Sequence, residues 1–223
     1  MKTWFFHPGA RVAGFLARML GPTTIIGLEH VPRSGAFILV ANHASDLDPP
    51  FLGWAAGHRI GRVIHFMAKI EMQRWPIFGW LADRSGVFYV RRGEGDRGAQ
   101  RTALDLLARG KPIAVFPEGT RSRDGRLRPG KPGTALLALR SGAPIVPAGI
   151  AGTQRLRPPG ERLVRRHPIT IRFGESFVLG HQPSGRLDRE ALAAGAEEIT
   201  RRIAELLPEA QRPAMEVPPA VPS

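Results

Sequence analysis

Two short segments hold the side chains best suited to chemistry. Asn42-His43-Ala44-Ser45-Asp46-Leu47-Asp48 follows directly on the apolar run Phe37-Ile38-Leu39-Val40-Ala41. That places a histidine and two carboxylates at the mouth of a buried strand. A histidine takes a proton readily at neutral pH, and a nearby carboxylate holds its ring in one tautomer. Phe116-Pro117-Glu118-Gly119-Thr120-Arg121-Ser122 again follows an apolar, strand-like run. Together the two segments point to a base at one strand end and an anion site at another.

His43 and Asp48 are five residues apart, which on an ideal helix is about 140° off one face. Pro49 biases Asp48 away from the α region. The two must therefore meet through a turn after the strand. Spacing alone leaves Asp46 as a competitor for the same histidine. A plainer reading also stands, in which Asn42, Ser45 or Asp46 caps the next helix and His43 is a satisfied loop histidine.

The chain resembles the glycerolipid acyltransferases, specifically the 1-acyl-glycerol-3-phosphate acyltransferase family, which carries four ordered blocks. Block one is similar to Asn42-His43-(four residues)-Asp48, and this resemblance selects Asp48 over Asp46. Block two is similar to Gly86-Val87-Phe88-Tyr89-Val90-Arg91-Arg92, with Arg92 as its motif arginine. Block three resembles Phe116-Pro117-Glu118-Gly119-Thr120-Arg121-Ser122, and block four resembles Ala143-Pro144-Ile145-Val146-Pro147. Gly27-Leu28-Glu29, Ala68-Lys69-Ile70-Glu71 and Lys131-Pro132-Gly133 are minor matches. Arg91 departs from the pattern, where an acidic residue is more usual, as does Ala148, where valine is frequent. Neither removes a group the family's chemistry uses.

The resemblance implies a reaction and a set of roles. An acyl group would pass from acyl-CoA or acyl carrier protein, as co-substrate, to the free hydroxyl of 1-acyl-glycerol-3-phosphate, giving phosphatidic acid. His43 would remove the hydroxyl proton while Asp48 holds the imidazole, as in serine triads. Arg121, just past a strand end, would clamp the phosphate through paired hydrogen bonds. Gly119 and Thr120 would offer backbone N–H groups to the anion, and Glu118 would orient an arginine or touch the glycerol. Arg92, Lys69 and Lys131 are further phosphate candidates. Pro144, Ile145, Val146 and Pro147 form either an acyl-donor contact or a buried supporting strand. Trp75, Phe78 and Trp80 line an acyl channel or pack as core. Histidines and carboxylates show no metal-ligand spacing, so neither a metal nor a permanently bound cofactor is expected.

These residues need elements to hold them. Apolar strand-like runs lie at about 36–41, 63–68, 86–90, 112–116, 144–150 and 168–173. Helical patterns lie between them at about 50–58, 72–83, 97–109 and 132–141, with a last helix at about 187–207. That alternation predicts an α/β fold, with a largely parallel or mixed central sheet flanked by helices on both faces. The expected division is an N-terminal amphipathic segment over 1–23, an acyltransferase domain over 24–207 and a disordered proline-rich tail over 208–223. Arginine- and proline-rich residues 154–167 read as a surface loop.

Composition narrows the partners. The chain has 223 residues, no cysteine and a formal charge of +13, so thiolate chemistry is excluded and an anionic partner is indicated. A compositional bias toward arginine supplies part of that charge. No apolar run approaches the roughly 20 residues of a spanning helix. Val12, Phe15, Leu16, Met19 and Leu20 share one helical stripe, with Arg11 and Arg18 on the other side and Trp4, Phe5 and Phe6 preceding. That stripe either docks on an anionic bilayer, placing the protein peripherally on the cytoplasmic face, or packs on its own domain. Two alternatives to the leading function remain: another lysolipid as acceptor, or a basic non-catalytic module. One tyrosine and four tryptophans in apolar contexts provide no stacking platform for nucleic acid, which is not expected as a partner.

Overall fold

The computed structural model describes residues 2–74, 76–90, 97–157 and 164–213, without the side chains of Ile77 and Phe78. Among the described residues, seven strands form one sheet: β1 (Thr23–Ile26), β2 (Ile38–Ala41), β3 (His65–Lys69), β4 (Phe88–Val90), β5 (Ile113–Val115), β6 (Ile145–Ala151) and β7 (Ile169–Phe173). Their spatial order is β1-β7-β6-β2-β5-β3-β4. Every neighbouring pair is parallel except β6 with β7, so the sheet is mixed. The expected strands are all present, with their ends moved by a residue or two. β1 is additional. Thr23-Thr24-Ile25-Ile26 is short and half polar, and its register against Ile169–Arg172 of β7 makes it a strand.

The helices of the described residues are α1 (Phe6–Leu20), α2 (Asp48–Leu52), α3 (Pro76–Arg84), α4 (Arg97–Ala108), α5 (Pro132–Ser141), α6 (Thr153–Leu156) and α7 (Arg189–Glu205). α2 runs on into a π-helical stretch, Gly53–His58. Proline at the first position of α5 fits a site where no N–H partner is needed. Asp188 caps α7 by accepting from the Glu190 N–H.

β2 shows why a sheet buried on both faces needs apolar strands. Leu39 and Ala41 face a core shared with α1, α2 and Trp54, whereas Ile38 and Val40 face a core shared with α4, α5 and α7. All four residues have no exposed surface, because alternate side chains enter opposite layers.

The N-terminal helix combines both expected behaviours on different faces. Ala10, Ala13, Gly14 and Ala17 are buried against the body of the protein. Phe6 joins them in the core at the start of the helix, whereas the later large residues turn away: Phe15 is 61% and Met19 58% exposed, alongside exposed Val12 and Leu16. Small side chains make the packing face because they let α1 approach α2 and Trp54 closely. The tail also departs from expectation. Residues 208–213 are ordered, and Gln211 is buried, donating to the carbonyls of Gly125 and Ile150. Residues 214–223 lie outside the described residues. Trp80 is not core. It is 47% exposed, lies edge-on to Trp4 and carries Arg84 over its ring. Trp75 and the side chain of Phe78 lie outside the described residues.

A methyl group at Gly14 would overlap the indole of Trp54. Gly14→Ala should therefore lower unfolding stability by about 1–3 kcal/mol through overpacking. Urea denaturation followed by tryptophan fluorescence checks this; an unchanged midpoint would contradict the close packing of α1.

Candidate active site

β2 and β5 are parallel neighbours, with Val40 opposite Val115. Their following segments therefore emerge side by side at the carboxyl edge of the sheet, the edge at which open α/β sheets form their clefts. Asn42 secures the first segment. Its side chain donates to the Ile150 carbonyl at 2.9 Å and accepts the Ile150 N–H at 2.7 Å. The chain is thereby pinned to β6 one residue before His43.

Asp48 then folds back toward the strand end. Its Oδ2 accepts the N–H groups of Ala44 and Ser45, each at 2.7 Å, and lies 3.1 Å from His43 Nδ1. An oxygen already accepting two N–H donors accepts the third, so Nδ1–H donates and the Nε2 lone pair is left free. The turn supplies the meeting that helical spacing forbids. Asp48 has no exposed surface, and the His43 side chain is 14% exposed. Phe116 stacks on the imidazole, 4.2 Å between centroids. Asp46, the competing carboxylate, is exposed and pairs with Arg121, with Arg157 at 3.7 Å. Thr153 donates to Asp48 Oδ1 at 2.6 Å. Sequence does not single it out, because a lone threonine after a strand is unremarkable without its partner.

The third block does not serve as its sequence suggests at two positions. Glu118 is buried and accepts the His43 backbone N–H at 2.8 Å and the Arg128 N–H at 3.2 Å. It braces the loop that carries His43, and among the described residues its partners are backbone N–H groups rather than an arginine side chain. Gly119, with φ +68°, donates its N–H to the Phe116 carbonyl, closing the turn. That N–H is engaged within the turn. The left-handed backbone there requires glycine, and the Lys131 side chain lies over it. Thr120 and Arg121 are exposed beyond the turn. The Ser122 N–H donates to the His43 carbonyl at 2.8 Å, which ties the arginine loop to the histidine loop.

The remaining candidates separate. Lys69 ends β3 at the same edge of the sheet and is paired with Glu71 at 3.1 Å. Arg92 lies outside the described residues. Ile145, Val146 and Pro147 are buried within β6, and Ile38 of β2 lies opposite Ile145. Pro144 and Ile145 thus sit at the opposite end of the sheet from His43. Burial of Ile145, Val146 and Pro147 favours the supporting-strand reading of the fourth block, while Pro144 is half-buried just before β6. Among the described residues, no histidine, aspartate or glutamate cluster has the arrangement to hold a metal.

Burial pushes the Glu118 carboxyl up to about 7, against the opposing pull of the His43 and Arg128 N–H donors. Its hydrogen-bond partners among the described residues are backbone N–H groups and not a cationic side chain, unlike those of most buried carboxylates.

Comparison with known proteins gives a consistent result. A family model described as Acyltransferase matches residues 22–151. A chloroplastic 1-acyl-sn-glycerol-3-phosphate acyltransferase of Brassica napus is 32% identical over 164 residues, 72% of this chain and 44% of its own. A lyso-ornithine lipid O-acyltransferase of Pseudomonas aeruginosa is 33% identical over 174 residues, 73% of this chain. The chain spans only 44% and 65% of the length of these two curated relatives. The crystal structure of the 1-acyl-sn-glycerophosphate acyltransferase of Thermotoga maritima superposes with a TM-score of 0.72 at 28% identity, covering 90% of this chain and 79% of that one.

Glu118 generates a pH dependence of stability. Between its ordinary value of 4.5 and about 7, the native carboxyl holds a proton that the unfolded chain has released. Stability therefore falls as pH rises through that window. Denaturation of wild type and Glu118→Gln at pH 5 and pH 7.5 should show the fall in wild type and a flatter response in the variant. Equal pH dependence in both would contradict the assignment.

Proposed function

The chain belongs to the acyltransferase family, and we propose that it transfers a fatty acyl group to the free hydroxyl of 1-acyl-glycerol-3-phosphate, forming phosphatidic acid. The donor is acyl-CoA or acyl carrier protein. The observation that carries this reading is the His43–Asp48 contact, held one hydrogen bond away from the arginine loop through Ser122 and the His43 carbonyl.

In this mechanism His43 Nε2 takes the proton of the acceptor hydroxyl as its oxygen attacks the thioester carbonyl. The C–S bond then breaks, and the thiol leaves with the proton returned by the imidazolium. Asp48 supports that imidazolium without itself being protonated, as in serine triads. Arg121, whose guanidinium already holds the Asp46 carboxylate, takes a phosphate oxygen in the same position. Lys131 over Gly119, together with Arg157 near Asp46, adds positive charge to that rim. Lys69 and Arg92 are the remaining phosphate candidates. No protein nucleophile is required.

A second acceptor class has a specific observation behind it. One relative is named for a lyso-ornithine lipid, and Asp46 offers a carboxylate at the rim for an ammonium head group. Acyl acceptance assayed in parallel with lysophosphatidic acid, lyso-ornithine lipid and neutral lysolipids separates the two readings. Lysophosphatidic acid is expected to be the best acceptor. His43→Ala should lower kcat/KM by about 10²–10⁴ with the fold retained. Arg121→Ala should raise KM for the phosphate acceptor by about 10- to 100-fold, the loss of a charge-assisted contact. Preference for the ornithine acceptor, unaffected by Arg121→Ala, would replace the phosphate reading.

We also propose that the protein works peripherally on the cytoplasmic face of a membrane. Among the described residues, no helix is long and apolar enough to cross a bilayer. The reading rests on the exposed stripe Val12, Phe15, Leu16 and Met19, extended by Trp4 and Trp80 and flanked by exposed Arg11 and Arg18. Deleting α1 would remove core residues, so substitution is the appropriate test. Phe15→Ser and Met19→Ser should together weaken sedimentation with anionic vesicles at least about tenfold, since each inserted apolar side chain contributes about 1.5–3 kcal/mol. Unchanged vesicle binding with intact folding would contradict docking through this face.

A further inference from the structure

The hydrogen bond from Thr153 to Asp48 extends the His43–Asp48 pair by a third member that lies outside the motif blocks. We propose that Thr153 is a positioning residue for the acyl transfer: its hydroxyl fixes the Asp48 carboxylate so that Oδ2 is presented to His43. The proposal rests on the reading of His43 as the base.

The geometry distributes the donors unevenly over the two carboxylate oxygens. Oδ2 takes the Ala44 and Ser45 N–H groups and His43 Nδ1. Oδ1 takes the Thr153 hydroxyl at 2.6 Å, a length typical of O–H donating to a charged oxygen. Asp48 and Thr153 both have no exposed surface, so water does not substitute for the hydroxyl. A buried carboxylate oxygen without a donor is costly, and the group relieves it by turning about its last side-chain bond. Any such turn moves Oδ2 off the His43 Nδ1–H. The imidazolium formed during transfer then loses its partner.

The local fold places Thr153 for this task. β6 runs parallel to β2, with Ala41 opposite Ala148, and continues three residues further to Ala151, alongside the histidine loop. Gly152 follows with φ +95°, and a side chain there would collide with the Pro168 carbonyl. The chain turns sharply at that glycine and sets Thr153 at the start of α6, facing Asp48. Asn42 grips Ile150 a few residues earlier, so the spacing between the histidine loop and Thr153 is held by the same strand pair. The clamp therefore joins three elements: the β2 end, the start of α2 and the β6 end.

The test is a double-mutant cycle on single-turnover acyl transfer, using the acceptor that wild type turns over best. Thr153→Val removes the hydroxyl and keeps the volume. It should lower kcat about 10- to 100-fold, the range seen when the outer partner of a metal-bound histidine is removed, with KM for the acceptor unchanged. Thr153→Ser should restore most of the rate. In an Asp48→Asn background, adding Thr153→Val should change the rate by less than about twofold, because the hydroxyl acts through the carboxylate. Thr153→Ala, which cannot overpack, runs through the same cycle as a second hydroxyl-free variant. A wild-type kcat in both hydroxyl-free variants, an effect confined to KM, or the same fold-loss in the Asp48→Asn background would each overturn the proposal. Should wild type transfer acyl groups to no lysolipid, the reaction reading fails on its own. The His43 Nδ1–H proton resonance then still reads the clamp. The proposal expects it displaced in Thr153→Val and kept in Thr153→Ser, and the same resonance in all three proteins would overturn it.

Discussion

A carboxylate with no access to water governs the arrangement of this molecule. Asp48 is fully buried, and an isolated buried charge is prohibitively costly. It is retained because donors reach it from every side: two backbone N–H groups of its own turn, the imidazole of His43 and the hydroxyl of Thr153. Satisfying those donors dictates the path of residues 42–48, the starting point of α2 and the position of the β6 end. α1, packed through its small-residue face onto α2 and Trp54, is in turn seated on the helix that Asp48 opens.

Another buried carboxylate completes the site from the neighbouring strand. Glu118 holds the backbone of His43 from one side while Asp48 holds its ring from the other. The two carboxylates divide the work by environment. Asp48 sits among many donors and in contact with the imidazole. Glu118, held by two backbone donors, is driven toward its neutral form by burial. The positive charge that a phosphate would meet is kept at the exposed rim, on Arg121 and Arg157 around Asp46. The buried His43–Asp48 contact below and the arginine rim above follow from the parallel pairing of β2 with β5.

Much of this was legible in the residues. Apolar runs marked six of the seven strands because the central strands β2, β5 and β6 are covered on both faces, while β7 still shows Ile169, Ile171 and Phe173 on its buried side. β1 escaped because Thr-Thr-Ile-Ile gains its strand character only from β7. The histidine and its carboxylate were legible as a pair through the motif resemblance, and spacing alone left Asp46 in contention. Direction was not legible. Sequence shows that Glu118 lies in the anion loop but not that its side chain turns inward. It shows that Pro144–Pro147 is apolar but not that the strand begins at the far edge of the sheet. The apolar stripe on α1 was evident, whereas the packing role of Ala10, Ala13, Gly14 and Ala17 depends on how closely Trp54 approaches. Thr153 had no sequence signal, since its significance is a contact across 105 residues.

The central claim is that burial of Asp48 fixes one tautomer of His43, with the proton on Nδ1 and the lone pair on Nε2. Nitrogen-15 spectra of the histidine rings, taken at a pH where imidazole is neutral and with His43 assigned by substitution, read this directly. The account predicts a protonated Nδ1 and an unprotonated Nε2 for His43. A ring protonated on Nε2 instead would contradict it, because no base would then face the acceptor hydroxyl.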